Sequence, residues 1–145
     1  MLTPSDMPIH EMLMPWSTKY HTGHPKIDIQ HEKLVWHLNR VAFGIRHATE
    51  DVMQELWNAV QFVKTHFATE DKLMTQSHFP DLDKHRKIHF HLIAELNNLY
   101  QRTKNGSIAP SEETNQFLKD WLVHHIDKSD RELAGFAMKH LPNSL

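Results

Sequence analysis

Fourteen histidines in a chain that has no cysteine are the first chemical signal. Imidazole is a ligand for zinc, copper, iron and nickel. Without thiols, disulfides, iron–sulfur clusters and thiolate zinc sites are excluded. The number of histidines selects nothing, but their spacing does. Two residues four apart on a helix stack on one face a turn apart, so they can grip one metal ion. Chance alone gives on the order of one His-x-x-x-His in such a composition. The discriminating criterion is therefore whether a pair lies in line with the apolar stripe of its helix.

Long helices must position these groups. Only four glycines occur in 145 residues, and the apolar pattern is helical nearly throughout. Residues 1–27, with prolines at 4, 8, 15 and 25, read as an irregular arm. The first helix is predicted from about Asp28 to His47, and the second from about Glu50 to Gln76 with Thr49 as N-cap. The third is predicted from about Asp81 to Thr103, where Asn105-Gly106 stops it, with a stripe of Ile88, Leu92, Leu96 and Leu99. The fourth starts at Ser111 with Glu112 and Glu113 in its first turn and is lined by Phe117, Leu118, Trp121 and Leu122. A short helix over Arg131–His140 follows. The fold class is all-α: an antiparallel up-down four-helix bundle, core about 28–130, in a single domain spanning 1–145.

Every long helix then sends metal-ligand types inward. His66 and Glu70 continue the line of Val63, Phe67 and Leu73, and His85 and His89 continue that of Ile88, Leu92 and Leu96. His31 directly precedes Leu34, Val35 and Leu38, and His125 follows Leu118, Trp121 and Leu122. A single buried histidine is usually a hydrogen-bonded core residue. Six such groups from four helices reverse that reading, because burying them uncompensated costs several kcal/mol each. His91 and Glu95 share the spacing but lie with Lys84, Lys87, Asn98 and Arg102 on a solvated face, and His37 lies with Lys33 and Arg40. His124 sits on the flank of its stripe. Asp130 follows His125 by five residues, about 140° around a regular helix. It is either a surface aspartate or a core group on a helix widened by a π-bulge.

In order and spacing, His31, His66-Phe67-x-x-Glu70, His85-x-x-x-His89 and Trp121-Leu122-x-x-His125-Ile126-x-x-x-Asp130 resemble the signature of the hemerythrin family, its bacterial members in particular. Ile27-Asp28-x-x-His31 is similar to the family's entry to its first helix, and the likeness spans about residues 16–133. The resemblance implies two irons, bridged by Glu70, Asp130 and an oxo or hydroxo group. His85, His89 and His125 would hold one iron, and His31 and His66 the other. It also implies that Phe67, Trp121, Leu122 and Ile126 wall an oxygen pocket, and that the activity is reversible dioxygen binding for storage, transport or delivery. Leu133 departs from the pattern, standing where many relatives have tyrosine.

The ligand chemistry favours binding over catalysis. Five neutral imidazoles and two carboxylates leave a diferrous, hydroxo-bridged core with about one net positive charge. Carboxylate-rich di-iron oxidases use Glu-x-x-His pairs, and neither that pattern nor His-Glu-x-x-His occurs in this sequence. The alternatives are a di-iron enzyme (peroxidase, nitric oxide handling or ferroxidase) and an oxygen or iron sensor module. Sixteen basic and eighteen acidic residues without a basic stripe exclude a nucleic-acid partner. No stretch approaches the ~18 apolar residues of a membrane span, and the N-terminus does not read as a secretory signal. The expectation is a cytoplasmic monomer whose partner is dioxygen.

Overall fold

The computed structural model describes residues 7–141; the first six residues of the expected arm lie outside them. Helix α1 spans Pro25–His47, α2 Val52–Ser77, α3 Leu82–Lys104 and α4 Glu112–His125. A π-helical turn over Ile126–Asp130 leads into α5, Arg131–His140. Among the described residues there is no strand. Helices α1 to α4 form the bundle, with α1 and α2 the most extensively packed pair and α5 folding back on α2.

The helix ends follow local chemistry. α1 starts three residues earlier than its apolar pattern suggests, because Pro25 supplies the first-turn φ and buried His24 caps the helix, its Nδ1 accepting from the Ile27 amide at 3.4 Å. Thr49 does not cap α2: its buried hydroxyl has no hydrogen-bond partner, and the helix begins behind Asp51. α2 ends on His78 in the left-handed region, with the Phe79 amide returning to the Met74 carbonyl. α4 opens on a capping box in which Ser111 accepts from the Glu113 amide and Thr114 accepts from the Ser111 amide.

The core runs along the bundle axis through Leu34, Leu38, Leu56, Val63, Leu96 and Leu118. α3 contributes least. It buries His85, His89 and Leu96, while Ile88, Leu92 and Leu99 of its expected stripe stay half-buried. Phe117, expected in the stripe of α4, is 37 % exposed, since α4 lies mainly against α1 rather than α3. The arm makes two short 3-10 turns, Ile9–Glu11 and Thr18–Tyr20. It is clipped to α1 by Asn39, which donates to the Met14 carbonyl and accepts from the Met14 amide.

Candidate metal centre

Toward the end of the bundle where α1 and α3 begin, four helices and the π turn deliver seven metal-ligand side chains to one buried volume. His31 comes from α1, His66 and Glu70 from α2, His85 and His89 from α3, His125 from α4 and Asp130 from the end of the π turn. All seven are buried, with His89 the most exposed at 6 %. Their donor atoms form two overlapping sets, His31–His66–Glu70–His125–Asp130 and Glu70–His85–His89–Asp130. Within each set the atoms lie within 4.8 Å of one another, and the shared members are the two carboxylates.

The π turn resolves the position of Asp130. Widening the helix over Ile126–Asp130 absorbs the fifth residue after His125 and turns both side chains inward, so that Asp130 Oδ2 lies 2.8 Å from His125 Nε2. The same oxygen is 2.6 Å from His31 Nε2 and 3.2 Å from His66 Nε2. Glu70 faces the other way along the cluster: its Oε1 is 2.8 Å from His89 Nε2 and 3.2 Å from His85 Nε2. The grouping of His125 differs from that implied by the resemblance. Asp130 draws its Nε2 into the His31–His66 set, while its ring stays 5.7 Å from the rings of both His66 and His89.

Electrostatics and unmet polar atoms both point to a cation. Burial opposes the charge on His66, yet the Glu70 and Asp130 carboxylates outweigh burial and push it up to about 10. Burial opposes ionisation of both carboxylates, and the charge of Asp130 further opposes that of Glu70, yet the surrounding imidazoles hold both well below the usual carboxylate range. Burial lowers His31 and His89, which favours their neutral, ligating form. Glu70 Oε2, Asp130 Oδ1 and His125 Nε2 are buried without a hydrogen-bond partner; the approaches of Glu70 Oε2 to His66 Nε2 at 3.2 Å and of Asp130 Oδ2 to His125 Nε2 at 2.8 Å lack hydrogen-bond geometry. Ring nitrogens also face each other, His31 and His66 at 3.2 Å and His85 and His89 at 3.0 Å. Lone pairs converging on a shared volume between two buried anions suit hard to borderline cations.

Gln30, which spacing did not single out, sits behind the cluster. Thr69 donates its hydroxyl to the Thr65 carbonyl and accepts from Gln30 Nε2 at 2.9 Å. That fixes the amide so that Gln30 Oε1 accepts from His66 Nδ1 at 2.8 Å, leaving the Nε2 lone pair for the centre. It lies one residue before His31 on a half-buried flank of α1, where the sequence carries no periodic signal.

Phe67, Trp121, Leu122 and Ile126 are all buried beside the cluster. The Phe67 ring stacks on His89 at 3.7 Å and Trp121 on His125 at 5.8 Å. A separate cavity of about 180 Å³ between α3 and the π turn reaches His85 and His125, with Ile88 and Leu92 on its wall and Lys84 and Lys128 also lining it. Leu133 is buried against Met74 and Phe79. The decoys stay outside: His91, Glu95 and His124 are exposed, and half-buried His37 packs on Phe62.

The Hemerythrin HHE cation binding domain matches residues 22–137. A bacteriohemerythrin of Pseudomonas aeruginosa is 31 % identical over 136 residues, covering 90 % of this chain and 84 % of its own. A myohemerythrin of Theromyzon tessulatum is 28 % identical over 121 residues, 83 % of this chain and 90 % of its own. A crystal structure of wild-type hemerythrin superimposes with a TM-score of 0.77 at 25 % identity, covering 86 % of this chain and 98 % of that one.

Proposed function

The chain belongs to the hemerythrin HHE cation-binding family, and from that membership we infer reversible dioxygen binding at a non-haem di-iron centre, for oxygen storage, transport or delivery. The observation that supports this most is the sharing of Glu70 and Asp130 between two sets of histidines. One tetrahedral ion has no use for seven ligands, whereas two carboxylates placed between two imidazole sets are what a bridged pair requires.

His31, His66, Glu70, His85, His89, His125 and Asp130 would hold the two irons, Glu70 and Asp130 spanning them. A bound iron pair supplies the two electrons that dioxygen takes up and gives back on release. The chain's own residues govern what else happens. Gln30 holds His66 in the tautomer that offers Nε2 inward. Phe67, Trp121, Leu122 and Ile126 form an apolar wall that excludes water and charged ligands, whose entry promotes irreversible oxidation. With five imidazoles to two carboxylates, the ligand set favours carriage over oxidation catalysis, so the protein is read as a carrier and not an enzyme.

Iron analysis together with an anaerobic oxygen titration tests the reading. Two irons per chain and one dioxygen taken up per iron pair are expected. One iron per chain, or steady oxygen consumption beyond one equivalent, contradicts it.

A further inference from the structure

Asp130 is followed directly by Arg131, the first residue of α5, and Arg131 reaches away from the centre to the N-terminal arm. Its guanidinium donates to the His21 carbonyl at 2.9 Å and to the Lys19 carbonyl at 2.6 Å, more than a hundred residues away along the chain. The arm segment it grips is itself fixed to the start of α1. Asp28 accepts from the Thr22 amide at 2.7 Å, the Thr22 hydroxyl at 2.8 Å and the Gly23 amide at 3.2 Å. His24, buried, caps α1 just beyond. Trp16 packs its ring against both Tyr20 and His21.

These contacts close a ring through the centre. From the arm the path runs through Asp28 to α1, then through His31 to Asp130, which are 2.6 Å apart, and back to the arm through Arg131. A single π turn replaces the i→i+4 hydrogen bonds of the surrounding helix with wider i→i+5 ones, a rare geometry that its flanking contacts must support. One end is His125. The other is the Asp130–Arg131 step, and the planar fork of arginine meets two fixed carbonyls there in a way that a point charge cannot.

We propose that Arg131 is a positioning residue: by clamping the arm at Lys19 and His21 it holds Asp130 in its bridging orientation, and so couples the N-terminal arm to the state of the metal centre. Coupling of this kind is reciprocal. If the clamped arm tightens iron binding, bound iron tightens the clamp by the same factor. The arm then carries a record of iron loading to the molecular surface, where His21 and Lys19 are exposed.

The proposal rests on the di-iron reading, and the test separates the two. Wild type, Arg131→Met, Arg131→Lys and Lys19→Ala are loaded with ferrous iron and checked for folding by circular dichroism and urea midpoint. Iron release to excess chelator is then timed, and amide hydrogen exchange over residues 18–24 is measured with and without iron. Arg131→Met is expected to release iron about tenfold faster than wild type, the low end of the 10–100-fold typical of groups that orient metal ligands. Arg131→Lys should fall between the two. Lys19→Ala should match wild type, because the acceptor at that position is the main-chain carbonyl. Iron should slow exchange in the arm of wild type but not of Arg131→Met. A wild type that binds no iron pair overturns both readings. A wild type with two irons beside an Arg131→Met that is less stable, yet releases iron at the wild-type rate, overturns this proposal alone. So does an arm whose exchange ignores iron, or a Lys19→Ala as impaired as Arg131→Met.

Discussion

At the scale of single residues, the separation of candidate metal ligands from look-alikes is a matter of helix face. His66–Glu70 and His91–Glu95 have the same spacing, but the first pair is fully buried and the second exposed. His66→Ala or Glu70→Ala should therefore abolish or halve iron loading, while His91→Ala and Glu95→Ala leave it intact; equal losses, read by metal analysis, would sink the face argument. Leu122 makes a finer distinction. It is fully buried one turn before His125, on the same side of α4. Leu122→Ala should still load two irons at a stability cost of about 2–5 kcal/mol, but its oxygenated form should decay faster as water and anions enter. Decay at the wild-type rate in a well-folded variant would reduce Leu122 to core packing. Six inward groups were legible from the sequence because they extend apolar stripes. Gln30 was not, since a glutamine on a half-buried flank gives no periodic signal and its role exists only once α2 brings His66 and Thr69 against it.

At the scale of elements, the helices were legible and some of their junctions were not. The Ser111 cap and the Asn105-Gly106 stop follow from local chemistry and fall where expected. Thr49 satisfied the same local rule but does not cap, because the chain passes so close to α1 there that its hydroxyl is buried against Gly44. A Cβ on Gly44 would meet Thr49 Oγ1 at 2.9 Å and Val52 Cγ2 at 3.0 Å. Gly44→Ala is thus expected to destabilise the protein by about 1–3 kcal/mol, even though alanine is the better helix former; a urea midpoint at or above wild type would show that the α1–α2 corner can relax. The π turn lay at the edge of what spacing can say. Five residues between His125 and Asp130 posed the alternatives of widened helix or surface aspartate, and only packing of the turn against α1 and α2 ligands decides between them.

At the scale of the whole molecule, the bundle holds two anions and a cluster of imidazoles away from water, and this sets its response to pH. In metal-free protein, His66 is raised from 6.5 to about 10. Its contribution to stability is complete below pH 6.5 and is lost as pH rises through about 10. Glu70 and Asp130 are lowered, so their contribution is present above their ordinary values of 4.5 and 3.8 and is lost in acid. Metal-free protein should therefore lose stability steadily from pH 8 to pH 10.5. Iron-loaded protein should not, because the metal occupies His66 Nε2 in place of the proton. Parallel urea titrations across that range check both, and identical alkaline slopes would contradict the placement of His66 against the carboxylates.

The central claim is that this buried, imidazole-rich centre binds dioxygen and gives it back unchanged. The most direct measurement is the visible absorption spectrum of the iron-loaded protein carried through repeated cycles of oxygenation and deoxygenation. The account predicts an oxygen-dependent charge-transfer band that appears and disappears with constant amplitude, cycle after cycle, at two irons per chain. Loss of the band after the first exposure, with the iron left in the oxidised form, would contradict it.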